Sequence, residues 1–245
     1  MNKNLVSFDL DSIRKRGKLI AVTDFNSTDY FIYKGEPMGF NYELLKSFPD
    51  EKHLEHSFGN WGKISRYDDM IRQFSAIINW DWRLLASLIC QESHFDPTVE
   101  SYTGAFGLMQ IMPDTGNNFG IDITSSPENN LTAGISYINW LHSIFDPRIP
   151  NEKERIKFIL AAYNAGPGHV LDAMKLAEKN GMNPKKWDGN VAIWLLKKSE
   201  PQYYNDTVVK NGYFRGTESV HFVSQILERF EHYKNIIPEE KSHPF

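Results

Sequence analysis

The chain has 245 residues and a mass of 28.4 kDa, enough to bury a core as one large domain or as one domain with an appendage. Its 27 Lys and Arg against 31 Asp and Glu give a formal net charge of -4, which argues against a dedicated nucleic-acid binder with its clustered basic surface. The single cysteine, Cys90, excludes an intramolecular disulfide and a Cys-based zinc site, and no apolar run approaches the roughly 18–20 residues that span a bilayer.

In chain order, Leu19-Ile-Ala-Val-Thr23 reads as a buried strand and Tyr30-Phe-Ile-Tyr33 as a second. Lys34-Gly-Glu-Pro37 reads as a turn and Asn41 to Phe48 as a short helix. The polar stretch 49–64, with His53, His56, Gly59 and Gly62, reads as a connector. From Ser65 onward the period is helical. Arg66 to Asn79 places Met70, Phe74, Ile77 and Ile78 on one face. Asp81 is positioned to cap a helix carrying Trp82, Leu85, Leu88 and Ile89. Gly104-Ala-Phe-Gly107 leads into Leu108-Met-Gln-Ile-Met112, with a boundary at Pro113-Asp114. Further amphipathic helices are expected over Asn129–Phe145, Glu152–Asn164, His169–Asn180, Val191–Lys198 and Glu218–Asn235. The expected fold is mainly α: a helical domain over 65–245, a connector over 49–64 and a small α/β appendage over 1–48.

The chain has no His-Glu-x-x-His motif, no P-loop and no Gly-x-Ser-x-Gly elbow, and its eight histidines lack metal-ligand spacing. Neither a metal nor a soluble cofactor is expected. The six Trp, eleven Tyr and sixteen Phe suit either a helical core or a surface that stacks on sugar rings. Glu92 stands out. It ends a helix whose preceding turns, Leu84-Leu-Ala-Ser-Leu-Ile-Cys90, are apolar, just before the break at Ser93-His-Phe-Asp-Pro97. A carboxyl there is partly desolvated, which raises its pKa and suits a general acid near neutral pH. An exposed helix-terminal Glu is the plain alternative from position alone.

The surrounding residues resolve that choice. Glu92-Ser-His-Phe-Asp-Pro97, then Ser101-Tyr-Thr-Gly-Ala-Phe-Gly-Leu-Met-Gln-Ile-Met-Pro113, then Ala161-Ala-Tyr-Asn-Ala-Gly166, resembles the motif series of soluble-type lytic transglycosylases. These are lysozyme-like enzymes related to goose-type lysozyme, and the resemblance runs from Ser65 to the C-terminus. Gly17-Lys-Leu-Ile-Ala-Val-Thr23 with Gly39-Phe-Asn-Tyr-Glu-Leu-Leu45 resembles the opening of a periplasmic solute-binding domain. A binding domain before a transglycosylase domain is similar to certain membrane-bound members of the family. So short a piece implies a remnant that cannot enclose a ligand.

The resemblance implies cleavage of the β-1,4 bond between N-acetylmuramic acid and N-acetylglucosamine, with Glu92 as acid and then base and the substrate's acetamido group assisting. It also implies Ser93 supporting Glu92 at the substrate site, Ser101 near the saccharide, Gln110 and Met112 along the cleft, and Tyr163 and Asn164 on the opposite wall. The C-terminal motif departs from the pattern: Glu218-Ser-Val-His-Phe222-Val223 has Phe222 where the family has a tyrosine, with Tyr213 a conceivable substitute. Asp96 reads as a helix-ending turn residue, or as the second carboxylate of a hydrolase. A glycan-binding protein without catalysis is the alternative of a different class. The implied partner is the peptidoglycan glycan strand, and the implied location is the periplasm at the outer membrane, through a lipidated N-terminus. The first ten residues lack the unbroken apolar stretch of a signal peptide.

Overall fold

The computed structural model describes residues 31–33, 36–38 and 63–237. The chain divides into two compact units, Met1–Trp61 and Gly62–Phe245. In the first, β1 (Phe31–Tyr33) pairs antiparallel with β2 (Glu36–Met38), in the register Phe31 with Met38 and Tyr33 with Glu36. Glu36 and Pro37 therefore belong to a strand, where the sequence suggested a turn; residues 34 and 35 alone separate the pair. The expected strand at Leu19–Thr23 and helix at Asn41–Phe48 lie outside the described residues, as does most of the connector.

The second unit is mainly α-helical. Helix α1 (Asp68–Ile77) is anchored at its start by Asp68, whose buried carboxylate accepts from the Ile64 and Ser65 amides at 2.7 Å each. Its inward stripe is Ile71, Ser75 and Ile78, while Ile77 is 58 % exposed. Of the face expected from the sequence, Ile78 is buried and Met70 and Phe74 pack against the core, while Ile77 turns outward and Ile71 takes the inward place. Met70 and Phe74 flank the true stripe half-buried, so apolar residues occupy two neighbouring stripes and periodicity cannot choose between them.

Helix α2 (Trp82–Ser93) is central. Leu84, Leu85, Ala86, Leu88, Ile89 and Cys90 are all buried, so the helix is covered almost all round. Each large apolar side chain so enclosed contributes about 1.5–3 kcal/mol. Asp81 caps it, accepting from the Arg83 amide at 2.9 Å and from the Arg83 guanidinium. Arg83 in turn donates to the Ile237 carbonyl at 2.7 Å, which fastens the start of α2 to the far end of the chain.

Short α3 (Pro113–Asn118) precedes α4 (Pro127–Phe145), which Ser126 caps through the Asn129 amide with Pro127 in the first turn. Asn151 caps α5 (Glu152–Ala165) through the Glu154 amide. Gly166, at φ 82°, separates α5 from α6 (Pro167–Lys179). A π-type turn over Trp187–Val191 then leads into α7 (Ala192–Lys197), α8 (Pro201–Tyr204) and α9 (Thr217–Ile236). The π-type turn and α8 were not legible in the sequence. Leu85, Ile89, Leu131, Ile138, Phe158, Leu160 and Ile226 share one core drawn from α2, α4, α5 and α9.

A buried polar cluster holds the segment before α9. Lys198, fully enclosed, donates to Asp172 at 2.8 Å and contacts His169 Nδ1 at 3.0 Å. Asp172 also accepts from the Lys210 and Asn211 amides and from the Asn211 side chain. Gly216 then brings α9 against α7 so closely that a Cβ at this position would lie 2.3 Å from the Leu195 carbonyl oxygen. Backbone cannot swing aside as a flexible side chain can, so Gly216→Ala should cost about 1–3 kcal/mol. Thermal melts are expected to show a fall of several degrees; an unchanged midpoint would mean that the α7–α9 contact is not close-packed.

Candidate active site

Glu92 sits in the last turn of α2. The helix stops one residue later because His94 and Phe95 take positive φ values of 51° and 64°, turning the chain away. The Glu92 carboxyl makes no hydrogen bond or ion pair with any described residue, although its side chain is largely enclosed by protein. Burial pushes it up to about 8 from an ordinary 4.5. A carboxylate at a helix C-terminus also faces the negative end of the helix dipole, which works in the same direction. At neutral pH the group is a protonated acid with no competing partner.

The wall beside it is built from residues 99–112. Ser101 closes a small loop: its amide donates to the Ala105 carbonyl, and its hydroxyl accepts from the Ala105 amide at 2.9 Å. Phe106 and Ile111 then exchange amide–carbonyl bonds of 3.0 and 3.1 Å, forming a tight hairpin. Gly107 has a φ of 77°, and a Cβ there would lie 2.5 Å from the Asn130 side chain, so both conformation and space require glycine. Gln110, at φ 46°, folds its amide inward to donate to the Val99 and Gly107 carbonyls at 2.9 Å each. Met112 follows with its side chain 41 % exposed.

Three helices hold this hairpin from beneath. From α2, buried Ser93 donates to the Leu108 carbonyl at 2.9 Å. That hydroxyl is fully engaged with backbone, also reaching Ile89 at 3.3 Å, so what Ser93 supplies is support under Glu92 rather than a group free to meet a sugar. From α4, buried Asn130 accepts from the Met109 amide at 2.9 Å and donates to the Phe106 carbonyl at 2.8 Å. From α5, the Tyr163 hydroxyl donates to the Met109 carbonyl at 2.7 Å. Burial raises the Tyr163 phenol well above its ordinary range, and the negative charge of Glu92 adds to that; Tyr163 and Ser93 grip the neighbouring Met109 and Leu108 carbonyls.

Next to Tyr163, exposed Asn164 accepts from Ser219 of α9 at 2.6 Å. Phe222 lies one turn further along α9 but is only 6 % exposed and belongs to the core. Tyr213 is exposed and packs edge-on against Tyr204 at 5.7 Å between ring centres, with no contact that links it to Glu92. Asp96 is fully in solvent. Its carboxylate accepts from the Thr98 amide at 2.8 Å and hydroxyl at 2.7 Å, and the Thr98 hydroxyl and amide hold its pKa below the usual range.

Two groups of residues were not singled out from sequence. Asn130 occupies an inward position of α4 beside Leu131 and Gly134, and a buried polar residue on an otherwise apolar stripe is the signal that was available. The rings of Tyr137 and Trp140 on α4 extend from Tyr163, with nothing in the local pattern to distinguish them from core aromatics.

A family model described as Transglycosylase SLT domain matches residues 69–186. The membrane-bound lytic murein transglycosylase F of Desulfosudis oleivorans is 36 % identical over 180 residues, covering 74 % of this chain and 38 % of that protein. The protein of the same name from Pseudomonas fluorescens strain Pf-5 is 33 % identical over 243 residues, 92 % of this chain and 48 % of its own length. The chain therefore spans less than half the length of these curated relatives. Among solved structures, the 70 kDa soluble lytic transglycosylase SLT70 of Escherichia coli aligns with a TM-score of 0.46 at 24 % identity, over 71 % of this chain and 25 % of that one. Glu92, the 106–111 hairpin, Asn130 and Tyr163–Asn164 all fall within the matched segment, and through it this chain belongs to the transglycosylase SLT domain family.

Proposed function

We propose that this chain is a peptidoglycan lytic transglycosylase whose lysozyme-like helical domain cleaves the N-acetylmuramic acid–β-1,4–N-acetylglucosamine bond and leaves 1,6-anhydro ends. The observation that carries this reading is the largely desolvated carboxyl of Glu92, unpartnered among the described residues and with a pKa of about 8, inside the segment that matches the SLT domain. Protonated Glu92 gives its proton to the glycosidic oxygen as the C1–O bond breaks. The acetamido oxygen of the same sugar stabilises the developing positive charge at C1. Glu92, now ionised, takes the proton of the C6 hydroxyl, whose oxygen closes on C1. One carboxyl serves both steps and no water is consumed. Asp96, pinned to Thr98 in open solvent, is not placed to activate a water for the alternative hydrolysis.

In this reading Ser93 and Ser101 shape the wall, Met112 faces the sugar beside the scissile bond, and Gln110 lines the cleft while its amide nitrogen holds the Val99 and Gly107 carbonyls. Tyr163 and Asn164 form the opposite side, while Phe222 backs α9 without a hydroxyl. We also propose that the chain acts in the periplasm on peptidoglycan strands in association with the outer membrane, and that residues 1–48 belong to a solute-binding-type domain joined by the connector 49–64 to the catalytic domain at 65–245.

Incubation of purified sacculi with the chain should release soluble anhydromuropeptides, and Glu92→Gln should reduce that release by about two to four orders of magnitude. Products heavier by one water would reassign the enzyme as a hydrolase. The rate should fall as pH rises through about 8, because only protonated Glu92 can act as the acid.

Stability responds to the same group. Below about pH 4.5 Glu92 is protonated whether folded or unfolded. Between about 4.5 and 8 the unfolded chain sheds a proton that the folded chain keeps, so the folded state loses stability as pH rises. Glu92→Gln lacks this penalty. It should melt at a higher temperature than wild type, by a gap that opens above about pH 4.5 and levels off above about pH 8. Allowing for partial solvent access, the plateau corresponds to about 2–4 kcal/mol. A gap that does not vary with pH would remove the buried acid from the mechanism.

A further inference from the structure

We infer that Trp140 is a stacking platform for a pyranose ring of the glycan strand, at a subsite along α4 beyond the one served by Glu92. The inference rests on the transglycosylase reading for its ligand, and on a row of aromatic rings for its place. That row starts beside the acid's helix end: Tyr163 donates its hydroxyl to the Met109 carbonyl, next to the Leu108 carbonyl that Ser93, the neighbour of Glu92, holds. The Tyr137 ring meets Tyr163 with centres 5.4 Å apart, and Trp140 lies almost parallel to Tyr137 at 5.6 Å and 19°. Along α4 the row follows every third residue from Gly134, where Met109 packs so closely that a Cβ would lie 2.2 Å from its sulfur. With a rise of about 1.5 Å per residue, the row leads out from beneath the hairpin along the helix surface.

Trp140 is 44 % exposed. Tyr137 fixes the orientation of its ring, which lowers the entropy lost when a ligand lies against the free face. The surroundings select the ligand. From Asn129 to Phe145, α4 has no Asp, Glu, Lys or Arg. Its one ionisable imidazole, His142, is turned aside to accept from Trp80 Nε1 at 3.1 Å and to pair with Asp146 at 2.9 Å. A flat ring on an uncharged helix face suits the C–H face of a neutral sugar: the π cloud attracts the slightly positive hydrogens, and apolar surface on both partners leaves water. It offers nothing to a phosphate or a charged peptide.

The test is made on the full-length chain carrying Glu92→Gln, titrated with N-acetylglucosamine tetramer, alone and with Trp140→Phe or Trp140→Leu added. Trp140→Leu should weaken binding about three- to tenfold and Trp140→Phe less, as expected for one lost ring contact. The indole fluorescence change on binding should disappear in Trp140→Phe. In the cleavage-competent chain, the KM for soluble uncrosslinked glycan strands should rise by the same factor, with a smaller change in kcat. Equal melting temperatures exclude misfolding, and the Phe variant retains a ring if Leu proves too disruptive. If wild type cleaves strands but Trp140→Leu binds the tetramer with unchanged affinity, the platform is overturned and the transglycosylase reading stands. Ring-dependent binding with no cleavage by wild type would do the reverse. Self-association of the chain that is lost in Trp140→Leu would assign this face to a second copy and overturn the inference.

Discussion

The backbone of the 106–111 hairpin is the constraint on which the site depends. Its turn carries polar groups into a region packed against helices, and those groups must find partners or lose about 1–3 kcal/mol each. Ser93, Asn130 and Tyr163 meet that need from α2, α4 and α5, two of them on the same residue, Met109. Because the three donors and acceptors come from different helices, hairpin and helices are fixed together. The rotation of α4 follows from it, since Asn130 can reach Met109 and Phe106 only if Leu131 and Ile138 face the core. Glu92, next to Ser93, takes its position from the same contact.

Two desolvated carboxyls in this domain, Asp172 and Glu92, have opposite fates. Burial pulls Asp172 upward, but Lys198, two backbone amides and the Asn211 side chain more than offset it and hold the group below its ordinary range. Asp172 is thereby a permanent anion that ties α6 to the segment before α9. Glu92 feels the same desolvation with nothing to offset it and remains protonated near neutrality. A carboxylate satisfied like Asp172 is a poor proton donor, because every bond it accepts stabilises the ionised form. What keeps Glu92 protonated is that the fold gives it walls and, among the described residues, no partners.

Much of this was legible from the residues. Helix bounds fell within two residues of expectation at Pro127, Glu152 and Ala165, where Ser126, Asn151 and Gly166 carry strong local signals. The motifs at Glu92, Gly107–Met112 and Tyr163–Asn164 were legible in the sequence, and the structure joins these stretches through the Ser93–Leu108 and Tyr163–Met109 bonds. What escaped depends on the neighbour rather than on the residue. Ile77 and Ile71 are equally apolar, and only packing against α2 and α4 decides which turns inward. Asn130 becomes meaningful only when Met109, 21 residues away, lies over it. The π-type turn at Trp187 follows from Gly189 adopting φ 66°, which the residue type permits without requiring.

Phe222 shows how a change in one residue can be absorbed by the helix that carries it. The family resemblance called for a hydroxyl at this position; the ring that stands there is closed into the core with Val223 and Ile226. The polar contact that α9 does make is one turn earlier, where Ser219 donates to Asn164. That bond occupies the Asn164 carbonyl oxygen and leaves its amide hydrogens for a ligand, so Asn164 is oriented as a donor. With no hydroxyl from α9 bonded to Glu92 among the described residues, nothing offsets the upward pull of desolvation on the acid's pKa. The result is a stronger bias toward the protonated form than a hydrogen-bonded carboxylate would have.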